Sequence, residues 1–571
     1  MNSIRKNRYH LVYLAIFVVG FPLSLVNSMN AFSSDNNGRI ALTLVDADSQ
    51  KTVPARIEVL DQSGKSYIAN DAVLVGGDCG KTEEGIWSEH THDQTLHGAL
   101  AKFSKSLKAP LSEATHFYSR GVSTLSVPAG SVFIRVFKGP EYHIGKAEIQ
   151  VKAGELSQKT IHLSRLANLP KNGWYSADDH LHIARTHQDV DPLVLEMMQA
   201  EDINVGNMLQ MGRAHSFAVT PQYAHGPDAV YQEGNYIIAS GQENLRTHMM
   251  GHAITLGAQE KLWDRDTYLF YRKFWQQAVE QGAINGIAHF AASGDYRGYA
   301  VDAGLVLFLP YNLVHFIEVL QFNHARYWAW YDMLNLGFKV TPTAGSDYPC
   351  VEPNIPGKER FYTHVDGQLS YEKWLTSVKA GKTFVTNGPL LTFHINGEDI
   401  GSEIILNGPT DVSIEAELIY DPERDSVQAL ELVENGRLVY RLPNLDDSGR
   451  MKFSIQRKID ETSWLALRTA PSISSSRLEY TTDAHTAPIY VSLSDGPSLA
   501  AHPRTKDIAK SFIAVLDVLE LKLSDAHIQN FSDLYAEQSG QPVPAEVTLN
   551  SRRGLMKELE TARKFYESFP K

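Results

Sequence analysis

Between about residues 172 and 387 strand-like and helix-like segments take turns, and no other feature limits the fold of this chain as sharply. DTYLFYRKFWQQAVEQGA carries apolar residues at helical spacing, ends near Gly282 and runs into the strand-like INGIAHFAA. VHFIEVLQFN reads as the next strand, ARYWAWYDMLNLGF as a helix with Gly337 near its end, and KVTPTAGSD as a strand again. Regular alternation of this kind predicts a parallel sheet or barrel.

On either side the period changes. RIALTLVDA, ARIEVLDQSG, SVFIRVFKG and KAEIQVKAGE alternate apolar and polar residues between turn residues, which predicts an N-terminal β-sandwich over 37–168. A less regular insert, about 75–116, holds His90, His92 and His97, read as solvated loop histidines. LLTFHING, DVSIEAELIY and ALELVENGRLVYRL predict a second β domain over 388–500. The tail, 501–571, has helical apolar faces, Ile508, Phe512, Leu516 and Leu519 on one and Leu555, Leu559 and Ala562 on another. The expected fold class is therefore multidomain α/β, a central unit over 172–387 flanked by β-sandwich domains.

The net charge of −13 with no basic run argues against a nucleic-acid partner and leaves a small-molecule substrate as the expected one. Arg5, Lys6 and Arg8 precede an apolar run from Leu11 to Val26, which reads as a signal peptide over 1–28 and predicts export to a periplasmic or extracellular location, with no stable membrane insertion after cleavage. Two cysteines, Cys79 and Cys350, are too few for a disulfide scaffold, though one bond between them is compatible with export.

Metal-capable side chains fall at the ends of the central strands. His180 and His182 lie two apart on one strand and so share a face. With 22 histidines in 571 residues, about one such pair is expected by chance, so the pair gains weight from its company downstream. Glu243, His252, His289 and Asp347 come at or just after other strands, where the mouth of a β/α barrel would gather them. Imidazoles and carboxylates without thiolates suit catalytic zinc, manganese or iron. Asp178, two before His180, reads either as a carboxylate orienting a ligand imidazole or as a turn residue.

ADDHLHI, GQENLRTHMMGHAITLG, GIAHF, FIEVLQFN and AGSDY follow the order and spacing of the PHP-type metal-dependent hydrolases, and the chain resembles that superfamily. AGKTFVTNGPLLTFHINGEDIG and DAHTAPIYV further resemble the CehA/McbA family within it. The resemblance implies a PHP-type distorted (β/α)7 barrel with two divalent ions, His180, His182, Glu243 and Asp347 holding one and a bridging Glu243 with His252 and His289 the other. Three histidines of the family pattern are missing here: INVGNMLQM stands at one position, Pro349 at another, and only the off-register His187 is near the third. That implies an absent third site, or one rebuilt by a Cys350 thiolate; a plain buried thiol is the other reading of Cys350.

The expected activity is hydrolysis of an ester-like bond, a carboxylic or carbamate ester, by a hydroxide held between the ions. Tyr348, His215 and Arg185 are the candidate catalytic residues, the first two as proton donors and Arg185 as an anion holder. Glu318 reads as structural or substrate-facing. A PHP-type phosphoesterase is the alternative within the same class, and a catalytically inactive exported ligand- or glycan-binding protein the alternative from another.

Overall fold

The computed structural model describes residues 36–73, 116–211, 220–247, 250–262, 271–290, 303–322, 324–350, 355–471, 482–502, 504–524 and 545–569. The expected signal peptide, the insert histidines and His215 lie outside them. Among the described residues no helix is long and apolar enough to cross a membrane.

Two sheets of the N-terminal unit face each other across a shared core. One is three-stranded, with Asn37–Asp46 between Val122–Pro128 and Leu156–Leu163; the other is four-stranded and includes Ala55–Asp61 and Gly130–Phe137. Ile40, Leu42 and Leu44, two apart on one strand, point inward against Ile57, Val59, Val132 and Ile134, so the alternating apolar pattern is what closes the sandwich.

In the central unit Trp174–Leu181, Val205–Met211 and Tyr236–Thr247 run parallel, and Ile284–Ile287, Phe316–Gln321 and Thr341–Ala344 form a second parallel run. Gly251–Leu256 joins the two runs and is antiparallel to both its neighbours. The uninterrupted parallel alternation expected from sequence therefore fails here, and again at Arg360–His364, which is antiparallel to both Trp174–Leu181 and Thr383–Thr386. Between Thr247 and Gly251 the chain is too short for a crossover, so it must return as a hairpin. The last run comes back to the first through a parallel bridge between Leu181 and Tyr348 and a 2.7 Å bond from His182 N–H to Tyr348 O.

The same sheet continues into the C-terminal unit, where antiparallel strands such as Ala429–Glu434 and Ser463–Thr469 pack against a separate four-stranded sheet containing Leu390–Ile395 and Thr410–Ile419. Leu390, Phe393, Ile414, Leu430 and Leu467 fill the space between. The tail helices Thr505–Lys522 and Ala545–Glu567 cover the central unit. Phe512, Leu516, Leu555 and Leu559 enter its core, and Tyr566 Oη donates to Val306 O at 2.7 Å.

Candidate metal centre

The parallel strands deliver six side chains to one place because their ends lie on one rim. His180 and His182 close the first strand, Glu243 lies in Tyr236–Thr247, His252 begins the hairpin return, and His289 and Asp347 follow short strands. His289 and Asp347 both have left-handed backbones, with φ of 55° and 54°. Side chains bearing Cβ rarely adopt that conformation, and it is held here where two strand ends turn into the cluster.

His180 Nε2 lies 3.0 Å from His182 Nε2 and 3.4 Å from Asp347 Oδ1. His182 Nε2 lies 3.1 Å from Asp347 Oδ1 and 3.3 Å from Glu243 Oε2, and His180 Nε2 is 3.9 Å from that same oxygen. Four ligands on a tetrahedral ion with bonds of roughly 2.0–2.1 Å stand about 3.4 Å apart, so this spacing fits one ion. Glu243 Oε2 and Asp347 Oδ1 are buried and turned toward these imidazole nitrogens, as oxygens that share a cation with them would be.

The second oxygen of each carboxylate turns the other way. Glu243 Oε1 is 2.7 Å from His252 Nδ1 and 3.9 Å from His289 Nε2, while Asp347 Oδ2 is 3.0 Å from His289 Nε2. Glu243, His252 and His289 thus form a second group with metal-ligand spacing. Asp347 reaches both groups, a role that the sequence pattern assigned to Glu243 alone.

Neighbouring groups orient the imidazoles. Glu318 Oε1 lies 2.9 Å from His180 Nδ1, and its Oε2 accepts the His289 backbone N–H at 2.5 Å. Leu209 O lies 3.2 Å from His182 Nδ1. The Leu209 carbonyl can only accept, which puts the proton of His182 on Nδ1, and both partners engage Nδ1 so that each Nε2 faces the cluster. Asp178 acts on the backbone instead. Its carboxylate accepts the backbone N–H groups of His180, Ser346 and Gly357 and the Ser346 hydroxyl, so it ties the strand ends together and leaves the ring to Glu318. Gly345 is required for this approach. A Cβ there would stand 2.4 Å from His180 Cβ, 2.6 Å from Asp179 Oδ1 and 2.7 Å from Glu318 Oε1.

The metal-free electrostatics follow from this crowding. Burial would lower His182 and His289, yet hydrogen bonds and charge from Asp347, with Glu243 adding to both, push each up to about 9. Burial wins at His180 and His252, which fall to about 4. Burial would raise Asp347 and Glu243, but the surrounding imidazoles, and for Glu243 first the Arg246 guanidinium, hold both well below the usual carboxylate range. Burial raises Glu318 to about 8.

Of the three expected catalytic residues, the two that are described, Tyr348 and Arg185, do not join the cluster. Tyr348 is fully buried in a core with Tyr118, Phe137 and Leu181, and burial raises its phenol far above its ordinary value, so it packs and is badly placed to give up a proton. Arg185 is also fully buried; it donates to Gln222, Ala229 O and Ser240 and lies 3.3 Å from Asp191, so its charge is used inside the fold. His215 lies outside the described residues. Cys350 is disulfide-bonded, so although its sulfur stands within 4.8 Å of ligand atoms of His182 and Asp347 it offers no thiolate there.

Arg246 carries no signal in the sequence. Its Nε lies 3.0 Å from Glu243 Oε2, and its side chain is one-quarter exposed. An arginine three positions after a candidate ligand is common, and only the strand irregularity between Glu243 and Arg246 turns it back onto the carboxylate.

No family model matches the chain, and no curated protein matches it. Among solved structures it is similar to a two-domain protein from Bacteroides vulgatus containing a predicted PHP-like metal-dependent phosphoesterase, at 10% identity and a TM-score of 0.31, over 56% of this chain and 95% of that one. A minor pilin of Streptococcus agalactiae matches at 14% identity and a TM-score of 0.14, over 23% of this chain and 46% of that one. At such TM-scores neither likeness carries an argument about the fold or the activity of this chain.

Proposed function

We propose that this chain is an exported hydrolase that depends on divalent metal and cleaves an ester-like bond, a carboxylic or carbamate ester, in a small molecule. The observation that carries this reading is the pair of buried carboxylates, Glu243 and Asp347, each dividing its two oxygens between separate imidazole groups. His180, His182, Glu243 and Asp347 would hold one ion, and Glu243, His252, His289 and Asp347 a second. When bound, such ions supply Lewis-acid activation of water and of the scissile oxygen.

The chain's own residues do the rest. Glu318 and Leu209 O engage Nδ1 of His180 and of His182, which keeps both rings from rotating. Among the described residues Arg246 is the one cationic side chain in contact with the six, and it is partly exposed beside Glu243. It would hold the substrate's carbonyl oxygen or a developing negative charge. A single guanidinium already shared with Glu243 suits a neutral carboxylic or carbamate ester better than a phosphate dianion.

Turnover of aryl esters, aryl carbamates and aryl phosphates by the metal-loaded protein, with Asp347→Asn as the control, tests this. Carbamate or carboxylic ester cleavage that disappears in Asp347→Asn is expected. Phosphate cleavage alone, or activity indifferent to metal and to Asp347, contradicts it.

A further inference from the structure

The three units meet at a cavity of about 40 Å³ that none of the six candidate ligands lines. The N-terminal sandwich supplies Arg56 and Lys138 to its wall, the central unit Lys358, Arg360 and Asn387, and the C-terminal unit Arg424. Among the described residues five lysines and arginines face it against a single carboxylate, Glu201. That carboxylate is already engaged by Arg56 Nε at 2.5 Å and Tyr118 Oη at 2.9 Å.

Among the described residues two of these five cations lack an acidic partner. Arg424 pairs with Asp425 at 2.9 Å and Lys358 lies 3.6 Å from Glu359. Lys138 and Arg360, at 4% and 3% exposure, have no such partner within salt-bridge distance among the described residues. Lys138 Nζ donates to Pro54 O and Gln199 O. Arg360 donates from Nε to Gly357 O and from Nη1 to Glu201 O and Asp202 O, and its Nη2 makes no hydrogen bond to a described residue. The acids next nearest Lys138, Asp202 and Asp46, already face the Arg165 guanidinium at 3.7 Å and 3.6 Å. Backbone carbonyls satisfy the geometry of a buried cation without cancelling its charge, which leaves a buried site of positive potential.

Space and backbone agree with this. A buried water needs roughly 10–15 Å³ by this measure, so the cavity, which opens to solvent, has room for about three waters or one tetrahedral oxyanion. At Gly357, whose φ is +64°, a Cβ would stand 2.7 Å from Arg360 Nη2 and crowd the group left to donate.

We propose that this junction binds one small oxyanion of phosphate or sulfate size, with Arg360 and Lys138 as its principal holders. It tightens the contact among the three units and stands apart from the metal centre. The proposal does not rest on the hydrolase reading.

The test is calorimetric titration of the full-length mature chain with inorganic sulfate and inorganic phosphate at constant ionic strength. Wild type, Arg360→Gln, Lys358→Gln and Glu243→Ala are compared, with circular dichroism as the check on folding. One saturable site is expected, weakened at least tenfold in Arg360→Gln, several-fold in Lys358→Gln, and unchanged in Glu243→Ala. If Arg360→Gln does not fold, Lys358→Gln decides. Absence of a saturable site overturns the proposal, as does binding unchanged in a folded Lys358→Gln. Loss of binding in Glu243→Ala would assign the oxyanion to the metal centre and overturn it equally.

Discussion

Raising pH from 7 to 8 should tighten metal binding about tenfold at each of the two proposed sites, and so about a hundredfold for loading both. In the metal-free protein His182 and His289 are raised to about 9, so both carry protons at pH 7, whereas His180 and His252, at about 4, are already neutral. Glu243 and Asp347 are already ionised. Ligand nitrogens must lose their protons to bind, so loading at pH 7 expels about two protons per chain. Each expelled proton makes the apparent affinity rise about tenfold per pH unit until the group's own value is passed, which gives the hundredfold and predicts flattening above about pH 9. The same residues set the pH dependence of the metal-free fold. A histidine raised from 6.5 to about 9 contributes its stabilisation fully below 6.5 and loses it as pH climbs through about 9, so the metal-free chain should weaken over that window. Calorimetric titration in two buffers of different ionisation enthalpy counts the protons directly. Release of none at pH 7, or an affinity independent of pH between 7 and 8, would refute the account of how the carboxylates charge these imidazoles.

Further outcomes concern the neighbours of the cluster. Glu318→Gln keeps an acceptor for the His289 N–H but loses the carboxylate beside His180 Nδ1, so metal affinity should fall ~10–100-fold with little change in fold, read by competition with a chelator. Gly345→Ala places a methyl within 2.7 Å of three groups, and an overpacking cost of about 1–3 kcal/mol with displacement of His180 should appear as a lower thermal midpoint together with reduced metal loading. Tyr348→Phe removes a phenol buried away from the cluster, so the rate per bound metal should stay within about twofold of wild type; a larger drop would restore it as a proton donor.

The sandwich core and the pair His180 and His182 were legible in sequence because local periodicity places side chains on faces, whereas Glu243, His252, His289 and Asp347 were picked out by their places at strand ends and by the family resemblance. Ile40, Leu42 and Leu44 point inward, and His180 and His182 come together, by the same rule of alternation. The features that stayed hidden depend on the paths between strands and on contacts distant in the chain. The hairpin at 247–251 is a matter of loop length, and it breaks a parallel order that the periods on either side could not reveal. Glu318 meets His180 across 138 positions, and no local pattern distinguishes that carboxylate from a core strand residue paired by chance. Arg185 was attractive as a cation near the histidines, but the fold turns it toward Asp191. Tyr348 was attractive beside Asp347, yet adjacent residues point apart, and the phenol goes into the core while the carboxylate faces the metal ligands.

In the proposed enzyme Glu243 joins two metal sites. Metal content per chain by mass spectrometry, on protein purified without chelator, tests it most directly in wild type and Glu243→Ala. The account predicts about two ions per wild-type chain and a sharp fall in the variant while it remains folded. A folded wild type that is metal-free and takes up none on addition, or a Glu243→Ala variant that retains both ions, would contradict it.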